Sequence, residues 1–135
     1  MRALLDVNVL VAALLSRGGA PALLVRRWLD GDFELVVSDL LLSELQRTLA
    51  RPKIRRRLAA DEADEFLALL RSGLADRVED PGVPPATRSS DPNDDYLIAA
   101  AAAAHATLVS GDSHLLSLGG VIPVLSPREF LDSLT

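Results

Sequence analysis

The chain has 135 residues, enough for one domain with a real hydrophobic core and too few to require a second. Its 49% hydrophobic and 24% charged residues argue against disorder, and the lack of cysteine excludes disulfides and thiolate metal sites and agrees with a reducing, cytoplasmic setting. A net charge of −5 speaks against a uniformly basic nucleic-acid binder, yet it hides a gradient: residues 1–60 carry ten basic against six acidic side chains, and residues 61–135 four against thirteen.

Residues 3–6 read as a short buried strand, because the run is apolar rather than alternating and ends on a polar residue. Residues 9–15 read as a helical turn or two, stopped by SRGG, and Pro21 starts a helix that reaches Leu29 before Gly31. Residues 33–37 form a second expected strand. Ser38 or Asp39 then caps the helix DLLLSELQRTLAR, which Pro52 ends. The next stretch, RPKIRRR, holds half the basic charge of the first part as Arg51, Lys53, Arg55, Arg56 and Arg57. It fits either a solvated helix face or a patch that contacts RNA phosphates or an acidic partner.

Residues 53–74 have a helical pattern in two pieces, with Asp61 as a cap and Phe66, Leu67, Leu70 and Leu74 on one face. Residues 76–78 are a third, weak strand, and DPGVPPATRSSDPN, with four prolines, is an irregular surface loop. DDYLIAAAAAAHA is a helix with a strongly apolar face, and its run to Ala104 falls far short of the roughly 20 residues that span a bilayer, so no membrane association is expected. Residues 107–109 are a fourth strand, SGD a turn, SHLLSL a short helix, residues 121–125 a fifth strand, and SPREFLDSL a last helix opened by Ser126 and Pro127. Such alternation predicts a parallel α/β sheet with helices on both faces, whose ligands bind beyond the carboxyl ends of the strands.

The acids follow that edge. Asp6 ends the first strand and Asp112 comes just after the fourth, so both belong to the same end of the sheet. Glu44 shares a helix side with leucines, where an unpartnered carboxylate is costly. Asp94 heads the apolar stripe Leu97, Ile98 and Ala101, whereas Asp95 lines up with Ile98, Ala99 and Ala102; the stripe favours Asp94. Singly, each acid reads as a cap or turn residue, Glu44 as a partner of Arg47, and Asn8, Ser38 and Ser110 as turn and cap residues. Jointly, carboxylates at one edge repel by about 4 kcal/mol for a pair ~4 Å apart at an effective dielectric of ~20. A divalent cation offsets this, and hard oxygen donors with no Cys and only two His suit Mg²⁺ or Mn²⁺ rather than Zn²⁺.

At these residues the sequence resembles PIN domains. LLDVNVLVAALL resembles their opening Asp-Thr-Asn-Val-Leu motif, SDLLLSELQRTL their Ser-containing helix with a Glu, DPNDDYLIAAAAA the acid before their Ala-rich helix, and LVSGDSHLL their Thr-Gly-Asp-x-x-Leu-Leu segment. The order and spacing run from Asp6 to the terminal Ser-Pro-x-x-Phe-Leu, and they look most like the toxin components of toxin–antitoxin pairs related to the VapC toxins. The resemblance implies a three-layer α/β/α fold with a central parallel sheet of about five strands, over one domain at residues 1–135. It also implies a Mg²⁺- or Mn²⁺-dependent endoribonuclease acting on single-stranded RNA, with an antitoxin protein and a homodimer among its partners.

Carried across, Asp6, Glu44, Asp94 and Asp112 would be the metal-binding catalytic acids, supported by Asn8, Ser38, Asp95 and Ser110. Val7 and Ser110 stand where the family usually has Thr, and the double acid leaves the third ligand open between Asp94 and Asp95. A haloacid-dehalogenase-type phosphatase fits less well, since Asn8 occupies the place of its second Asp and the only lysine, Lys53, lies in the basic run. The other class is a non-catalytic domain that binds an antitoxin or another protein through residues 53–74. His105 and His114 read as structural or surface residues, His114 being near Asp112.

Overall fold

The computed structural model describes residues 1–134. Its elements in chain order are β1 (Arg2–Leu5), α1 (Val7–Leu15), α2 (Ala20–Leu29), β2 (Glu34–Ser38), α3 (Asp39–Leu49), α4 (Pro52–Arg55) and α5 (Ala60–Arg71). Then come β3 (Asp76–Val78), a 3₁₀ turn at Pro92–Asp94, α6 (Asp95–Ala103), β4 (Thr107–Val109), α7 (Ser113–Leu116), β5 (Val124–Leu125) and α8 (Pro127–Ser133). Ala3, Leu4 and Leu5 are consecutive and at most 1% exposed, which a strand tolerates only with cover on both faces. β1 is accordingly the centre of a five-stranded, all-parallel sheet of order β3-β2-β1-β4-β5.

Helices complete a three-layer α/β/α arrangement around one contiguous core. α1 packs on α2 and α3, α3 on α5 and α2 on α8, while α6 lies against β1 and β4. Burial follows periodicity: on α3 the buried residues Leu41, Leu42, Leu45, Thr48 and Leu49 recur at helical spacing and turn one stripe inward. No single helix among the described residues is long and apolar enough to cross a membrane.

Several boundaries differ from expectation, each for a local reason. Asp6 leaves the strand and becomes the N-cap of α1, accepting from the Val9 N–H at 2.9 Å, so the helix starts two residues earlier than expected. The pattern over 53–74 breaks into α4 and α5, with Ala59 rather than Asp61 at the cap; α5 stops at Arg71, and Leu74 falls beyond it, 64% exposed. Gly73 takes a φ of +99° there, a conformation open to glycine. The fifth strand shrinks to Val124–Leu125, because the N–H groups of Val121 and Ile122 both turn back to the Leu118 carbonyl. α6 ends at Ala103 rather than running through Ala106. His105 adopts φ +52°, and the N–H groups of His105 and Ala106 close onto the Ala102 and Ala101 carbonyls at 3.2 and 2.9 Å, a Schellman arrangement.

Candidate active-site cleft

The chain runs from β1 outward to β2 and β3, then crosses back to β4 on the other flank of β1, so the winding reverses between β1 and β4. Open parallel sheets form a crevice at such a point, beyond the carboxyl ends of the strands. A cleft of about 190 Å³ lies there, and Asp6, Glu44, Asp94 and Asp112 all line it, with Asn8, Thr48, Arg51 and Tyr96 between them. Four acids separated by up to 106 positions in sequence thus share one small space.

Asp6 is 4% exposed, and both its oxygens are engaged: one accepts from the Val9 N–H, the other from the Ser110 hydroxyl. The Ser110 oxygen in turn accepts from the Asp112 N–H at 3.0 Å, so one fully buried hydroxyl ties the first acid to the turn that carries the last. Asp112 caps α7 by accepting from the His114 N–H at 2.9 Å, and the His114 ring nitrogen lies 3.4 Å from the same oxygen. Burial pushes the Asp6 carboxyl above its ordinary range, against the lowering effect of Ser110 and Val9, and the charge of Asp112 adds to the rise.

Glu44 reaches the cleft from α3, where it accepts a hydrogen bond from the Tyr96 hydroxyl of α6. Burial first, and that bond second, raise the Tyr96 hydroxyl's pKa, so it stays a neutral donor. Asp94, at the end of the 3₁₀ turn, is pushed up to about 6 by burial and then by the charges of Asp91, Asp112, Asp6 and Glu44. Asp95 points elsewhere: it is 8% exposed and accepts from the Ser89 N–H and the Arg88 guanidinium, both at 2.8 Å. Those two partners, the Ser89 N–H foremost, lower its pKa. Asp95 therefore anchors the proline-rich loop to α6, and of the adjacent acids only Asp94 borders the cleft.

A family model described as PIN domain matches residues 2–114. The chain belongs to the PIN-domain family. The matched stretch includes every acid of the cleft. The structure of VapBC2 from Rickettsia felis, bound to a DNA fragment from their promoter, is similar in fold, with a TM-score of 0.63 at 15% identity over 93% of this chain and 98% of that one. Comparison with curated proteins gives no match.

Within this PIN domain no three His, Asp or Glu side chains among the described residues are grouped closely enough to hold an ion as they stand. The Tyr96 hydroxyl holds Glu44 toward α6. The donor set still fits one chemistry: four carboxylates, with the Asn8 amide and Thr48 hydroxyl nearby, are hard oxygen donors of the kind that Mg²⁺ and Mn²⁺ accept. A divalent cation would offset the repulsion that, after burial, raises Asp94.

Of the expected supporting residues, Asn8 lines the PIN cleft and Ser110 stands behind it, bonded to Asp6, whereas Ser38 does neither. Ser38 is fully buried and caps α3, accepting from the Leu41 N–H at 3.3 Å, and acts on Glu44 only by fixing where α3 begins. Arg51 of the basic run enters the cleft lining, and Lys53, Arg55, Arg56 and Arg57 follow it on and just after α4. Ile54 and Leu58 hold that segment against the core, and none of the five basic side chains makes an ion pair among the described residues. Tyr96 and Thr48 escape a search for acids. Their signals are slight: the chain's single tyrosine inside an aliphatic helix, and a polar residue one turn after Glu44.

Proposed function

We propose that the cleft hydrolyses phosphodiester bonds of single-stranded RNA with Mg²⁺ or Mn²⁺, and that the protein is the toxin of a cytoplasmic toxin–antitoxin pair, its partners an antitoxin and a second copy of itself. The convergence of Asp6, Glu44, Asp94 and Asp112 at the switch point of the sheet carries this reading. Those four side chains would hold the ion, which when bound neutralises charge on the phosphate and lowers the pKa of a coordinated water. Ser110 and the Val9 N–H fix the orientation of Asp6, and Tyr96 that of Glu44. Arg51 places a cation at the cleft, where it meets the scissile phosphate, and the unpaired basic face beyond it draws in the rest of the strand. Among the described residues no histidine or cysteine lines the cleft, and in this reading the attacking oxygen comes from water.

The decisive experiment digests a labelled single-stranded RNA with purified protein and Mn²⁺. Cleavage is expected to fall by at least about 100-fold in Asp6→Asn, since a neutral amide is a poor ligand for a hard cation. Undiminished cleavage by that variant refutes the assignment. A protein that neither cuts RNA nor responds to Mn²⁺ belongs to the binding-domain class instead. Co-expression with the adjacent reading frame, followed by mass measurement of the purified complex, tests the antitoxin and the homodimer.

A further inference from the structure

The inward stripe of α3 is Leu41, Leu42, Leu45, Thr48 and Leu49, and Thr48 is its one polar member. A threonine inside a helix ordinarily returns its hydroxyl to the carbonyl four residues back, here that of Glu44. Thr48 does not: its hydroxyl has no hydrogen-bond partner among the described residues, although the residue is only 7% exposed. Burying such a hydroxyl costs stability that a valine of nearly the same shape does not. Among the described residues the one unbonded side-chain oxygen of a residue that is not exposed and that is shut off from solvent belongs to Asp80. The Thr48 hydroxyl therefore still reaches water, and Thr48 borders the acidic cleft.

Its neighbours define what it can meet. Glu44 stands one turn before it, roughly 6 Å along the helix axis, and Arg51 follows, its N–H bonded to the Thr48 carbonyl at 3.1 Å. Both line the cleft as well. Carboxylates only accept hydrogen bonds and the Arg51 guanidinium only donates, while the Tyr96 hydroxyl is committed to Glu44. Thr48 and the exposed Asn8 are the neutral lining groups left that both donate and accept, and of the two Thr48 adjoins the cation. A phosphate, whose oxygens accept, is served by the guanidinium. The group that follows a phosphate along an RNA strand is a ribose, and its 2′-hydroxyl both donates and accepts.

We propose that Thr48 reads the sugar: its hydroxyl pairs with the 2′-hydroxyl of the nucleotide whose phosphate Arg51 holds, and so separates RNA from DNA. The inference rests on the nuclease reading of the cleft. Hydrolysis by water leaves the 2′-hydroxyl out of the reaction, so a preference for ribose comes from contacts rather than from the chemistry. A site built to bond a substrate hydroxyl disfavours the analogue without it, because its own polar group is then left unpaired.

The test uses the full chain with Mn²⁺ and one single-stranded RNA, beside copies that carry a single 2′-deoxynucleotide at each position around the main cut. One position should stand out, with kcat/KM lowered about tenfold, the share of one uncharged hydrogen bond. Thr48→Val keeps the shape and removes the hydroxyl. It should slow the all-ribose strand by the same factor and erase the deoxy penalty, with Mn²⁺ affinity unchanged and the melting temperature held or raised. Thr48→Ser should bring the penalty back. Absence of any deoxy penalty in the unaltered protein overturns the sugar contact alone, and that arm needs no variant to fold. A penalty that survives Thr48→Val also overturns it and gives the contact to another group, such as Asn8. Equal slowing of ribose and deoxy strands by Thr48→Val puts the hydroxyl on a phosphate, and a loss of Mn²⁺ affinity puts it on the ion; either result refutes the proposal. If no RNA is cut at all, the nuclease reading fails and takes the sugar contact with it.

Discussion

Ser110 and Tyr96 each give a hydroxyl proton to an acid of the cleft, and neither hydroxyl is charged. Such groups orient a ligand without competing for the metal, and losing one typically weakens metal binding by about 10- to 100-fold. Tyr96→Phe removes the donor to Glu44 while keeping the ring, so it should loosen Mn²⁺ about tenfold in a calorimetric titration and leave the fold's melting temperature nearly unchanged. Unaltered Mn²⁺ affinity would show that Glu44 needs no such support. At this scale the sequence shows the acids and hides what holds them. Asp94 and Asp95 differ only in which helix stripe they continue, and that stripe points to the residue that borders the cleft. The Tyr96–Glu44 bond joins residues 52 positions apart on two helices, a contact that no local pattern encodes. Ser38 was equally ambiguous by position: a serine before a helix caps it whether or not it faces a site, and here only the cap is made.

Elements are most legible where composition changes sharply. The central strand, the α3 stripe and the proline-rich loop stand where their apolar, periodic and breaker residues put them. The ends of elements are less so. The alanine run of α6 carries no stop signal, and the helix end is set by local backbone closure around His105, a residue with a Cβ placed in the left-handed region. Glycine takes that conformation without steric cost, whereas other residues lose roughly 1 kcal/mol or more. His105 is exposed and remote from the cleft lining, so His105→Gly should raise unfolding stability by about 1 kcal/mol in urea titration and leave RNA cleavage alone. A loss of stability would mean that the imidazole makes a contact worth more than the backbone strain.

Over the whole molecule the charges are arranged against the isolated protein. The basic run lies in the first half, while Asp6, Glu44, Asp94 and Asp112 meet in one cleft where burial first, and the neighbouring acids second, lift Asp94 to about 6 from an ordinary 3.8. A carboxyl whose pKa is higher in the folded than in the unfolded chain binds its proton more tightly when folded. Its favourable contribution is complete below about pH 4 and disappears as pH rises through about 6, so at pH 7 ionised Asp94 works against folding. Water reaches this cleft, which keeps the effect under about 1 kcal/mol. Asp94→Asn should therefore raise the melting temperature at pH 7 without added metal, with the gain gone by pH 4. If the proposed site binds it, Mn²⁺ should act in the same direction on the unaltered protein, by about 2.7 kcal/mol at 100 times its dissociation constant, and more strongly at pH 7 than at pH 5 because protons compete for the ligands. In Asp94→Asn the response to Mn²⁺ should shrink even as the baseline rises. Melting curves with Mn²⁺ and with a chelator, at pH 4, 5 and 7, read all of these at once. If Asp94→Asn lowers stability at pH 7, or leaves the full Mn²⁺ response in place, this carboxylate is neither repelled by its neighbours nor a ligand.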